Sequence, residues 1–117
     1  VGFTVWDHSD RRTIYLLNTD WASDQDQHPA TFIYKGKKFP VVVRRYHIET
    51  IHCADGLAVM PASNTTDILS VCKKENGWVV KVQTTGNDVV QCMNAVTGKV
   101  EPIKFDEPGV HEVFVNE

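Results

Sequence analysis

The chain has no apolar run approaching the ~20 residues that a membrane-spanning helix needs. It also has no stretch with a sustained 3.6-residue apolar period, which argues against a helical bundle. There is no basic tract. The nearest, Lys35-Gly36-Lys37-Lys38 and Arg44-Arg45, read as a turn and a strand edge. With a net charge of -3, the chain lacks the electrostatic footprint of a nucleic-acid binder. No G-x-S-x-G elbow is present, and neither Ser63 nor Ser70 has a base beside it in sequence, so nucleophilic catalysis has no local signature. The three cysteines, Cys53, Cys72 and Cys92, match neither C-x-x-C nor a zinc array. Each sits in an apolar run and reads as a small buried hydrophobe, with one disulfide and a leftover thiol as the alternative.

What the sequence does contain is punctuation. Lys35-Gly36, Asp55-Gly56, Asn76-Gly77, Gly86-Asn87, Thr97-Gly98 and Pro108-Gly109 recur along all 117 residues. Between them lie β-type segments such as Thr13 to Leu17, Trp78 to Val82 and Val113 to Val115. This rhythm predicts an all-β chain, an antiparallel β-sandwich of roughly 8–10 short strands with almost no helix. The length suits a single domain with one core. Val1 to Trp6 begins abruptly inside a strand pattern and without Met, which reads as a domain cut from a longer chain.

Within that frame, Thr13 to Asn18 is apolar on both faces and reads as a central strand. Thr19 to Pro29 is the longest irregular stretch. Lys35-Gly36-Lys37 joins two arms of a hairpin, and Pro40 confines the second arm to an edge. Asn76-Gly77 is the strongest hairpin signal, since both residues tolerate positive φ. Trp78 aligns with Val80 and Val82 and reads as core.

Candidate chemistry is sparse. Asp20, Asp24 and Asp26 place three carboxylates within seven residues, a possible oxygen cage for calcium; without the glycine turn and closing Glu of an EF-hand, the same loop also reads as solvated Asx-turns. Trp21 lies in that loop. Its indole face suits the C–H face of a sugar ring, or else it folds back to cap the sandwich end. Trp6 alternates against Phe3 and Val5 and is either exposed or turned to a partner domain. His47 and His52 are five apart, hence on opposite faces of a strand and unable to share a metal; His47 and Glu49 share a face and read as a surface pair. A pair of glycosidase carboxylates would converge only in space, and short loops leave little room for a deep cleft. Asn64-Thr65-Thr66 matches the glycosylation acceptor pattern.

The segment Ile14-Tyr15-Leu16-Leu17-Asn18-Thr19-Asp20-Trp21, followed by the apolar–Gly–apolar hairpin of Thr31 to Val43, resembles the C-terminal β-sandwich domains appended to bacterial glycoside hydrolases and related polysaccharide-processing enzymes. Such domains usually lack the catalytic carboxylates. The resemblance therefore implies a non-catalytic accessory domain that packs against a preceding catalytic domain of the same chain, in a periplasmic or extracellular setting. Trp6, Tyr15 and Phe114 are the candidate docking residues. Two alternatives stand beside it. One is a polysaccharide-binding module with Trp21 and Trp6 as platforms. The other is an immunoglobulin-like protein-interaction domain, although Cys72, Trp78 and Cys92 lie too close together for the antibody pattern.

Overall fold

A computed structural model describes residues 2–17, 27–44, 48–63 and 65–117. Among these, eleven strands run in chain order: β1 (Gly2–Asp7), β2 (Arg12–Leu17), β3 (Gln27–Tyr34), β4 (Lys37–Arg44), β5 (Ile48–Ala54), β6 (Leu57–Pro61), β7 (Asp67–Lys74), β8 (Gly77–Thr84), β9 (Asp88–Asn94), β10 (Val100–Phe105) and β11 (Gly109–Asn116). No described residue is helical, and no helix is long and apolar enough to cross a membrane. The chain is all-β and antiparallel throughout, as the turn rhythm requires.

A six-stranded sheet, ordered β1-β2-β5-β6-β9-β10, is the central layer. The three-stranded sheet β11-β8-β7 covers one face, and the β3-β4 hairpin covers the other. The alternation of β6 shows why. Leu57 and Val59 point into a core with Val71, Trp78, Val80, Val82, Val90 and Val115. Ala58 and Met60 point the opposite way, into a second core with Phe39, Val41, Ile51, Cys53 and Met93. Successive strand side chains face opposite sides, so a strand apolar at every position is one covered on both faces. The sequence predicted a single core; two cores share one sheet.

Three further features differ from the sequence reading. The β7–β8 turn residues are Glu75 and Asn76, and neither Asn76 nor Gly77 has positive φ. Gly77 opens β8 instead, and glycine is needed there for space: an added Cβ would lie 2.1 Å from the Val115 carbonyl oxygen and 2.9 Å from the Phe114 ring. The positive-φ two-residue turns are Lys35-Gly36 and Asp55-Gly56, the geometry whose twist matches flanking strands. Next, β3 starts at Gln27, inside the stretch expected to be loop. Its Pro29 is tolerated because, among the described residues, the hairpin strands pair only with each other, leaving each one open edge. Finally, Cys72 is exposed whereas Cys53 and Cys92 are buried, and all three are free thiols. Val71 turns inward on β7, so its neighbour Cys72 must turn outward.

Candidate functional site

The three-stranded sheet does not extend over β1 and β2. The face of the central sheet it leaves uncovered carries Trp6, Thr13, Tyr15, Ile48, Thr50 and His52, because Trp6 pairs with Thr13, Thr13 with His52, and Tyr15 with Thr50. Where the β6–β7 connection rises beside this face there is a cleft of about 520 Å³. Tyr15, Ile48, Thr50 and His52 form its floor; Pro61, Ser63, Thr66, Asp67 and Ile68 form its wall.

Behind the floor lies a polar cluster that ties the β1–β2 turn to β7. Arg11 donates through Nη2 to the Ile68 carbonyl at 2.9 Å and through Nη1 to the Leu69 carbonyl at 3.3 Å. These carbonyls lie at a register shift in β7 between Ile68 and Ser70, where the guanidinium supplies donors to the irregular strand. Arg11 also forms an ion pair with Asp10 at 2.9 Å, and Asp10 Oδ2 accepts from the Val71 N–H at 3.2 Å. Burial pushes the Asp10 carboxyl up, but the Val71 N–H and the Arg11 charge outweigh it and hold it below the usual carboxylate range.

The same arginine fixes the state of His52. Arg11 Nε lies 3.2 Å from His52 Nδ1. A guanidinium only donates, so Nδ1 accepts and the proton sits on Nε2. Nε2–H then donates to Thr50 Oγ1 at 3.2 Å, and Thr13 Oγ1 lies 3.2 Å from Nδ1. Burial first, and the Arg11 charge second, lower the His52 pKa to about 4. The ring is therefore neutral at pH 7 and serves as a hydrogen-bond link. Thr50, having accepted from Nε2, keeps its own hydroxyl proton to donate. Across the wall, Thr66 is only 5% exposed, and its Oγ1 has no hydrogen-bond partner among the described residues.

A second depression, of about 400 Å³, lies on the hairpin side, where Arg44 meets Glu49. Arg44 Nε donates to Glu49 Oε1 at 2.7 Å, and Nη2 donates to Oε2 at 3.3 Å. The two-pronged pair compensates a carboxylate that is 3% exposed.

Of the sequence-predicted residues, the structure describes Trp6, Tyr15, Glu49, His52 and Phe114. Asp20, Trp21, Asp24 and Asp26 lie outside the described residues, as do His47 and Asn64. Glu49, expected beside His47, is engaged by Arg44. Among the described residues no three His, Cys, Asp or Glu side chains cluster as a metal site. Trp6 is 61% exposed and shares a sheet face with half-buried Tyr15. Phe114 lies elsewhere: on β11 it alternates against the inward-facing Val115 and shares the outer face of the three-stranded sheet with its partner Val79. The Asp10–Arg11–His52–Thr50 chain and Thr66 were missed. The links that join distant segments, Arg11 to His52 and Asp10 to Val71, span 41 and 61 residues, and no local spacing announces them.

No family model, curated protein or solved structure matches this chain.

Proposed function

We propose that this domain is a non-catalytic accessory module of a carbohydrate-active enzyme, docking against the catalytic domain that precedes it in the longer polypeptide. The observation that supports docking is β1. This strand is exposed along both faces, with Phe3 70% and Trp6 61% accessible on opposite sides and Val5 beside Phe3. Among the described residues it is also an edge strand with one side unpaired. A free edge bearing large apolar groups on both faces is a surface that proteins cover. The link to carbohydrate enzymes rests on the likeness carried by Ile14 to Trp21 and the hairpin after it. The engagement of His52 and Glu49 in fixed hydrogen bonds favours a structural role over proton transfer.

The test compares two contexts. Phe3→Ser and Trp6→Ser are placed in the isolated domain and in the full-length polypeptide, and thermal unfolding is followed in each. Docking predicts that the isolated domain keeps its Tm while the full-length protein loses several degrees. Equal tolerance in both contexts sinks the reading.

A further inference from the structure

We infer that β1 is a strand-pairing edge between two copies of this chain, joined antiparallel about a twofold axis with Thr4 facing Thr4 of the second copy. This goes beyond the docking proposed above. Pairing uses backbone groups in the plane of the sheet, docking uses side chains on its faces, and one does not exclude the other.

Among the described residues the open sheet edges are those of β1, β3, β4, β7, β10 and β11. An open edge is a template for a further strand, and proteins blunt it with proline, charge or a break in register. β3 carries Pro29 opposite Val42, and β4 carries Pro40 opposite Thr31. A proline has no N–H to complete a hydrogen-bonded pair, so both nitrogens turn to the open side. Beside β10 the Asn94 N–H donates to the Lys99 carbonyl at 2.9 Å, and the alternation of pairs from there turns Pro102 outward as well. β7 has its register shift, the Arg11 guanidinium on its carbonyls, and Lys73 and Lys74. β11 holds Glu112 at mid-strand. Among these edges β1 alone has no guard: from Gly2 to Trp6 it carries no charge, no proline and no shift.

The groups on that edge follow from the ladder. The His8 N–H donates to the Arg11 carbonyl at 2.8 Å and closes the β1–β2 hairpin. Antiparallel ladders alternate, so Trp6, Thr4 and Gly2 bond to β2, while the N–H and C=O of Phe3, Val5 and Asp7 point out of the sheet edge.

A second copy satisfies these groups. A twofold axis perpendicular to the sheet keeps corresponding faces on one side, so opposed residues share a face. Centring the axis on Thr4 meets this condition over the whole uncharged run. Phe3 then exchanges both backbone bonds with Val5 of the second copy, and the same pair recurs across the axis. Aromatic–β-branched and Thr–Thr contacts are favourable cross-strand pairs. Trp6 falls opposite Gly2, an edge position that an aromatic ring covers. Centring on Val5 instead sets Phe3 against Asp7, a carboxylate ion-paired to Arg12 at 2.7 Å, and leaves Gly2 unmatched.

The test is sedimentation of the 117-residue chain at concentrations up to about 1 mM, a range suited to the small interface of one strand pair. Mass should rise toward that of a dimer. Val5→Pro removes an outward N–H and no β1–β2 bond, so it should keep the parental amide spectrum and weaken the dimer by roughly tenfold or more. Thr4 is exposed. Thr4→Lys and Thr4→Glu each set like charges face to face and should weaken the dimer by a similar factor, while an equimolar mixture of the two should recover it. If Val5→Pro does not fold, the charge pair decides alone. The inference is overturned if the parent stays monomeric up to about 1 mM, if a folded Val5→Pro associates as the parent does, or if the mixture fails to recover association. Docking is read separately, from the Tm of Phe3→Ser and Trp6→Ser in the full-length polypeptide, so each reading can fail with the other standing.

Discussion

His52 shows how one side chain becomes a stability term. In the unfolded chain its pKa is near 6.5, and in the fold it is about 4, lowered by burial and then by Arg11. Between those values the unfolded state binds more protons than the folded one, so stability rises with pH across the window. The contribution is fully present above pH 6.5 and is lost as pH falls through 4. Its full size is on the order of 3 kcal/mol. Urea midpoints measured from pH 7 to pH 4 should fall steeply in the parent and less steeply in His52→Gln. Parallel pH profiles would remove His52 as the cause. The sequence displayed this histidine only as half of a pair with His47. Strand alternation in the sequence assigns the two to opposite faces, and His47 lies outside the described residues; nothing local revealed Arg11, which arrives from a turn 41 residues away. Trp78, by contrast, was legible: its alternation with Val80 and Val82 places it inward, and it is fully buried.

At the scale of elements, turns and strand edges divide glycine into two uses. Gly36 has φ +81° and open space where a Cβ would sit. Gly36→Ala therefore costs only the left-handed backbone penalty, about 1–2 kcal/mol. Gly77 has ordinary φ but no room, because the β11 backbone and the Phe114 ring press on it. Gly77→Ala must push β8 and β11 apart at their first pairing and should cost more than Gly36→Ala. Chemical denaturation of the two variants gives the comparison, and a reversed order would mean that β11 yields easily at its end. Both glycines belong to dipeptides that mark turns in the sequence. That code gave the position of each hairpin correctly. It misassigned the reason at Asn76-Gly77, since steric room is a property of the neighbouring strand and not of the dipeptide.

For the whole molecule, the two cores differ in how their outer layer is held. The three-stranded sheet is clamped to the β1–β2 turn by Asp10 and Arg11. Among the described residues the hairpin pairs only within itself and rests on side-chain packing, the Arg44–Glu49 ion pair and a bond from the Gly56 N–H to the Tyr34 hydroxyl. Segments held by fewer cooperative contacts open at lower free energy. Each core carries one buried thiol, Cys53 under the hairpin and Cys92 under the three-stranded sheet, and burial pushes both up to about 12. Thiolate labelling should thus read the layers separately. The native protein should label at exposed Cys72 alone, and with rising denaturant Cys53 should react before Cys92. Simultaneous reaction of Cys53 and Cys92 would mean that the two layers unfold as one unit.

Periodicity and turn chemistry are local properties, and they sufficed to determine an all-β antiparallel chain, the position of nearly every strand, the edge character of Pro40 and the burial of Trp78. These follow from two-residue alternation and from backbone angles that only certain residues adopt. The layer order, the second core and the polar cleft were decided only in three dimensions. Alternation states that a strand has two faces but not what covers each one. A hydrogen bond between Arg11 and β7, or an orphan hydroxyl on Thr66, exists only after distant segments have been brought to one place.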